Sequence, residues 1–157
     1  MITVGQSLPE VTFSLREKGE ASNPTTADLF ANKKVVLFAV PGAFTPTCSE
    51  EHLPGYIALA DKIQAKGVDS IICLAVNDAF VMEAWGKTHN AEHLTMLADG
   101  GAEFSKATGL NFETGGFGGT RALRYSMLVE NGVVTQLNVE PPKEFGVSGA
   151  EAMLASL

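Results

Sequence analysis

An α/β sandwich, with a mixed central sheet between layers of helices, is the architecture this sequence predicts. Three observations predict it. Two apolar runs, one over Val35 to Val40 and one over Ile71 to Val76, each precede a helical segment. The segment after the first run carries Leu53, Tyr56, Ile57 and Ala60 at spacings of three and four, the repeat of one helix face. Beyond a glycine-rich stretch the period changes to two on either side of Asn131-Gly132, the strongest short hairpin signal.

Taken in order, Val11 to Leu15 reads as a short strand, followed by a turn-rich stretch from Glu17 to Pro24. Lys33-Lys34 then introduce Val35-Val36-Leu37-Phe38-Ala39-Val40, bounded by Pro41-Gly42. An unbroken apolar run is how a strand buried on both faces looks, as in the centre of a parallel sheet. A helix is expected from Thr47 to Lys66, stopped by Gly67. Pro54 inside it should kink it or remove one backbone hydrogen bond. Ser70 to Val76 is the second buried strand, Asp78 to His89 a helix, Leu94 to Leu97 a short strand and Ala102 to Ala107 a short helix. Arg121 to Glu130 and Val133 to Val139 form the hairpin. Ser148 with Glu151 has the spacing of a capping box for a last helix ending at Leu157. This order suits a three-layer α/β sandwich of thioredoxin-like type, one domain over residues 1–157. In open sheets of this kind ligands bind outside the carboxyl ends of the strands. The turn from Pro41 to Cys48 lies there.

Composition narrows the function classes. A chain of 157 residues, 45% hydrophobic and 18% charged, has the balance of an ordinary globular domain. A formal net charge of −7 repels phosphate, which argues against nucleic acid and anionic membrane as partners. The start, Met1-Ile2-Thr3-Val4-Gly5-Gln6, has no basic segment leading into an apolar one. No apolar run approaches the ~18 residues of a membrane span. A cytoplasmic location is the expectation. Two cysteines, at positions 48 and 73 and without a CxxC pattern, suggest reactivity or packing rather than a disulfide framework.

Cys48 is the residue to weigh for reactivity. A lone cysteine is ordinarily a small buried hydrophobe, yet this one is read as an exposed-loop cysteine in dense company. It falls in the first turn of the expected helix, where unpaired N–H groups and the helix dipole favour an anion. Pro46 fits a helix start, having no N–H to leave unpaired. Thr45 brings a hydroxyl that can donate to one substrate oxygen and accept from another. The N–H groups of Thr47 and Cys48 offer an anion site at the helix terminus, and Pro41 and Phe44 supply apolar walls that limit water. A nearby cation would favour the thiolate further. Arg121 and Arg124, three positions apart on one strand, face opposite sides, so one of the two can reach the sulfur.

The stretch Pro41-Gly42-Ala43-Phe44-Thr45-Pro46-Thr47-Cys48-Ser49 closely resembles the active-site signature of the peroxiredoxins, in particular the five-type (plant type II) subfamily. The resemblance continues through His52-Leu53-Pro54-Gly55, Val76-Asn77-Asp78-Ala79-Phe80-Val81, Trp85-Gly86 and Arg124-Tyr125-Ser126-Met127. It reaches Asn131-Gly132 and Leu137-Asn138-Val139-Glu140, and so covers nearly the whole chain. It implies a thiol peroxidase acting on hydrogen peroxide and small alkyl hydroperoxides, with Cys48 as nucleophile and a sulfenic acid as intermediate. It implies that Thr45 hydrogen-bonds the peroxide, that Pro41 shields the sulfenic acid, and that Arg124 rather than Arg121 stabilises the thiolate. It implies no metal or prosthetic cofactor, an external thiol reductant, and a homodimer with Phe117 near the interface.

The sequence departs from some relatives in the loop Pro141 to Ser148, which holds no resolving cysteine. Cys73 lies inside an apolar strand and reads as packing. Its rival role, as partner to an oxidised Cys48, would need local unfolding. Resolution by glutathione with glutaredoxin, or by thioredoxin, is therefore expected. His52, four residues after Cys48, has a metal-ligand spacing without further ligands and reads as a hydrogen-bonding residue, while His89 and His93 read as solvated. The glycines from Gly115 to Gly119 are not expected to follow a strand as those of a phosphate-binding loop would, which argues against a nucleotide site. A different function class, a peroxide sensor or chaperone-like protein using Cys48 as a switch, is separated from the enzyme by catalytic turnover.

Overall fold

The computed structural model describes residues 1–157. Strands β1 (Leu15–Glu17) and β2 (Glu20–Ser22) form a small hairpin, followed by α1 (Thr26–Phe30) and β3 (Lys34–Ala39). A π-helical turn (Cys48–His52) runs into α2 (Leu53–Gln64), then β4 (Ser70–Ala75), α3 (Ala79–Thr88), β5 (Thr95–Ala98) and α4 (Glu103–Thr108). A ribbon of β6 (Asn111–Glu113) and β7 (Thr120–Ala122) precedes the hairpin of β8 (Tyr125–Glu130) and β9 (Val133–Val139), and α5 (Ala150–Ser156) follows.

The central sheet has the order β5-β4-β3-β8-β9. Strands β3, β4 and β5 are parallel, with Phe38 opposite Cys73 and Cys73 opposite Met96, while β8 and β9 run antiparallel. Alternation along β3 explains its apolar run. Val36, Phe38 and Val40 enter one core with Tyr56, Trp85 and Met153 from α2, α3 and α5. Val35, Leu37 and Ala39 enter a second core with Phe13, Phe30 and Phe104. Both faces of the sheet are covered, which is what an unbroken hydrophobic strand requires. This is the thioredoxin-like sandwich expected. No helix is long and apolar enough to cross a membrane.

Several local expectations give way. Val11 to Leu15 makes only isolated bridges at Thr12 and Ser14 before β1 begins. The stretch Glu17 to Pro24 is a hairpin turned by Lys18 and Gly19 at positive φ, and α1 starts on an unforeseen capping box of Thr25 and Asp28. The run from Arg121 to Glu130 is two strands in different sheets, with Leu123 and Arg124 between them. The glycine stretch does follow a strand, but it makes one 3-10 turn (Gly115–Phe117) and leads into the antiparallel β7 rather than into an α-helix. Ser148 caps nothing, because Gly149 is the N-cap of α5 and the Ser148 hydroxyl is engaged elsewhere.

The helix after the Pro41 turn opens as a π turn, in which the Leu53 N–H bonds the Cys48 carbonyl five residues back. The wider turn accommodates Pro54, which has no N–H to give to an α-helical ladder. It also carries His52 round to nearly the same side as Cys48.

Candidate active site

The backbone leaves β3 at Ala39 and reverses through Pro41 to Pro46, with Phe44 at φ +64. Two side chains from the β4–α3 region hold this reversal. Asn77 Oδ1 accepts from the Ala43 N–H at 3.0 Å, and the Trp85 indole N–H donates to Ser49 Oγ at 3.0 Å. The hydroxyl of Thr45 donates to the Gly42 carbonyl at 2.7 Å, so its hydrogen is committed and its lone pairs are what it can offer a ligand. The carbonyl of Thr45 accepts from the Ser49 N–H at 2.9 Å.

Cys48 is not the exposed loop cysteine expected from the sequence. Its relative exposure is 0%, and it belongs to the core cluster under the sheet. What sets it apart is a charged partner. Arg124 Nη2 donates to Cys48 Sγ at 2.9 Å, and Arg124 Nη1 lies 2.9 Å from His52 Nδ1. Arg121 goes elsewhere, its Nη1 donating to the Val76 carbonyl at 2.9 Å. The break between β7 and β8, not alternation along one strand, separates the two arginines.

Beside the sulfur lies a cleft of about 780 Å³, lined by Pro41, Thr47, Leu123, Arg124, Glu140 and Phe145 among others. Thr45 is half-buried and does not line it. Phe44 does not wall it either. It is 53% exposed on a positive-φ turn and tilts towards Trp85, with ring centroids 6.4 Å apart.

The loop from Pro141 to Ser148 closes the cleft, and Glu140 holds that loop. Its carboxylate accepts from the N–H groups of Gly146, Val147 and Ser148 and from the Ser148 hydroxyl, at 2.7 to 2.9 Å. Burial would raise the Glu140 carboxyl. The Ser148 hydroxyl and the three N–H groups outweigh that and hold it below the ordinary carboxylate value. The clamp places the Ser148 carbonyl where His52 Nε2 reaches it at 3.0 Å and the Tyr56 hydroxyl donates to it at 2.9 Å. His52 is buried, packed between Phe38 and Phe145 at ring separations of 5.0 Å. Burial first, and then the Arg124 charge, push its imidazole down to about 3. Both ring nitrogens are engaged, and a guanidinium faces one of them, which is no setting for a metal ion. His89 packs edge-on against Trp85, 6.0 Å between centroids, rather than standing in solvent.

Of the residues singled out in the sequence, Pro41, Thr47 and Arg124 line the cleft, and Cys48 lies buried behind it against Arg124. Sequence reasoning missed Glu140 and Ser148 as the clamp. The available signal was an acidic residue at the end of β9 followed directly by Pro141-Pro142.

A sulfur held against a guanidinium in the first turn of a helix, at the carboxyl end of a thioredoxin-like sheet, belongs to thiol-dependent redox chemistry. That is the class the fold and the site define. The Redoxin family model matches residues 3–154. Peroxiredoxin-2D of Arabidopsis thaliana is 45% identical over 99% of this chain and 98% of its own length. A peroxiredoxin of Synechocystis is also 45% identical, over 97% and 89% of the two chains. Reduced Prx3 from Vibrio vulnificus, solved in complex with hydrogen peroxide, superposes with a TM-score of 0.97 at 61% identity, covering 99% of each chain. The chain belongs to the Redoxin family as a peroxiredoxin of the five-type (plant type II) branch. It is therefore a thiol peroxidase, an oxidoreductase with peroxide as substrate and a thiol as reductant.

Proposed function

We propose that Cys48 is the peroxidatic nucleophile and that its substrates are hydrogen peroxide and small alkyl hydroperoxides. The thiolate attacks the nearer oxygen of the O–O bond. The more distant oxygen leaves as water or alcohol once protonated, and Cys48 is left as a sulfenic acid. Sulfur supplies both electrons. The observation that carries this reading is the 2.9 Å contact from Arg124 Nη2 to the sulfur. A half-buried cation held against a buried sulfur favours its anion. The same guanidinium lies where the attacked oxygen would accept a hydrogen bond, so it acts on the charge as it moves from sulfur to oxygen.

Thr45 accepts a hydrogen bond from the peroxide, the role its committed hydroxyl hydrogen leaves open. The N–H groups of Thr47 and Cys48 at the helix start add donors, and Pro41 restricts access of a second peroxide to the sulfenic acid. Hydrogen peroxide is supported as a substrate by the Vibrio vulnificus relative, which was solved with it.

The sulfenic acid is resolved by an outside thiol, glutathione with glutaredoxin or thioredoxin. Cys73 sits in mid-strand, and burial first and Cys48 next push its thiol well above the ordinary cysteine value, against the opposing pull of Arg124. Phe117 at 88% exposure, Phe80 at 67% and Phe44 at 53% leave aromatic surface that a second copy of the chain covers, and the working unit is a cytoplasmic homodimer. Peroxide consumption by the pure protein, measured in parallel with glutathione–glutaredoxin and with thioredoxin, tests the reading. Multiple turnovers with either system are expected. A stop after one equivalent with both would make the protein a peroxide sensor instead. A monomer by light scattering at micromolar concentration would overturn the dimer.

A further inference from the structure

We propose that His52 is a positioning residue for peroxide reduction: a neutral imidazole that carries its proton on Nε2, presents a bare Nδ1 to Arg124, and so locks the guanidinium onto the Cys48 sulfur. The inference rests on the reading that Cys48 and Arg124 form the reacting pair.

The contacts admit one tautomer. His52 Nε2 faces the Ser148 carbonyl, which can only accept, so Nε2 must bear the hydrogen. His52 Nδ1 faces Arg124 Nη1, which can only donate, so Nδ1 must be bare. An imidazolium would point an N–H at a guanidinium from a fully buried ring. The Nε2–H is committed to a carbonyl and the Nδ1 lone pair to a cation, so the ring has no capacity left to take a proton from Cys48 or from a peroxide. General-base catalysis by His52 is thereby excluded, and what remains is geometry.

The geometry is that of a planar fork. Arg124 places Nη1 on the imidazole and Nη2 on the sulfur, each at 2.9 Å. Because the guanidinium is rigid and planar, fixing one arm fixes the direction of the other. A free arginine side chain carries rotamer entropy that this arrangement has already removed. The imidazole is itself immobile. It is fully buried, packed at tilted angles among Phe38, Tyr56 and Phe145, and its acceptor on Ser148 is held by Tyr56 and by the Glu140 clamp. The order of support runs from Glu140 to Ser148, His52, Arg124 and the sulfur. The π turn makes it possible by placing His52 one wide turn after Cys48.

Three substitutions separate this role from simple packing. His52→Asn keeps an acceptor near the Nδ1 position, His52→Gln keeps a donor near the Nε2 position, and His52→Leu keeps neither. The readouts are the rate of peroxide oxidation, the ultraviolet thiolate absorbance at neutral pH against a Cys48→Ser control, and the thermal midpoint, with Arg124→Met alongside. The expected result is a fall of about tenfold in rate for Gln and Leu with reduced thiolate absorbance, the scale of one lost hydrogen bond to a charged group. Asn should recover most of both signals even though its thermal midpoint falls with the others. Rates that follow only the thermal midpoint across the three variants would overturn the inference, as would an unchanged rate in either Gln or Leu. If Arg124→Met slows oxidation while the Gln and Leu variants do not, only the role of His52 fails. If Arg124→Met leaves the rate intact, the reading of the reacting pair fails with it.

Discussion

Cys48 and Cys73 share almost everything that a survey of cysteines would record. Both have 0% exposure, neither is in a disulfide, and both belong to the same core cluster. They differ in backbone and in partner. Cys73 lies in mid-strand between Phe38 and Met96, and burial pushes its thiol well above the ordinary value. Cys48 lies in the first turn of a helix with an arginine nitrogen at 2.9 Å. Exposure therefore does not distinguish the two sulfur sites. The separating factor is whether the low-dielectric site supplies a fixed positive charge, since burial without one penalises the anion.

The sharpest way to break the comparison is to remove each sulfur in turn. Cys48→Ser should abolish catalytic peroxide consumption, and any residual turnover would move the chemistry to another residue. Next in size, Arg124→Met should slow oxidation of Cys48 by about 10²–10³-fold, the range seen when one donor to developing charge is lost, with a lower thiolate absorbance at neutral pH. An unchanged rate and spectrum would mean that the charged partner is not what distinguishes the two sites.

Glu140→Gln comes third. A carboxylate that accepts bonds from Gly146, Val147 and Ser148 becomes a neutral amide, at a cost of ~1–3 kcal/mol in chemical denaturation. The sign of the pH dependence follows from the lowered folded-state value of the carboxyl. Its stabilisation is complete above the unfolded value of about 4.3 and is lost as pH falls through the folded value, so the gap between wild type and variant should close in acid. A gap independent of pH from neutral to strongly acidic would sink the clamp. The smallest effect is expected at Cys73→Ser. Turnover with glutathione and glutaredoxin should persist, at a stability cost of ~1–3 kcal/mol for an unpartnered buried hydroxyl. Lost turnover in this variant would make Cys73 the resolving thiol and erase the contrast.

How much of this was legible in the sequence depended on how local each feature is. The strands β3 and β4 announce themselves because both faces are buried, and Asn131-Gly132 because both residues sit at positive φ, as a two-residue hairpin demands. The three-residue strands β1, β2, β6 and β7 are too short to show a period, and Arg121 to Glu130 alternated well enough to hide the break before β8. In the site, the eight-residue motif ending at Cys48 could be read directly. The contacts from Arg124 to His52 and from His52 to Ser148 join positions 72 and 96 residues apart, and no local pattern encodes such pairings. Ser148 misled for the same reason. Its spacing to Glu151 suggested a cap, but a carboxylate eight residues earlier holds the hydroxyl.

The roofed sulfur of Cys48 makes the protein a sieve. An electrophile's intrinsic reactivity counts only after its bulk has been admitted past Pro41, Thr47 and Arg124. Two-atom oxidants and large maleimides should thus be ranked in opposite order by this thiol and by a free one in solution.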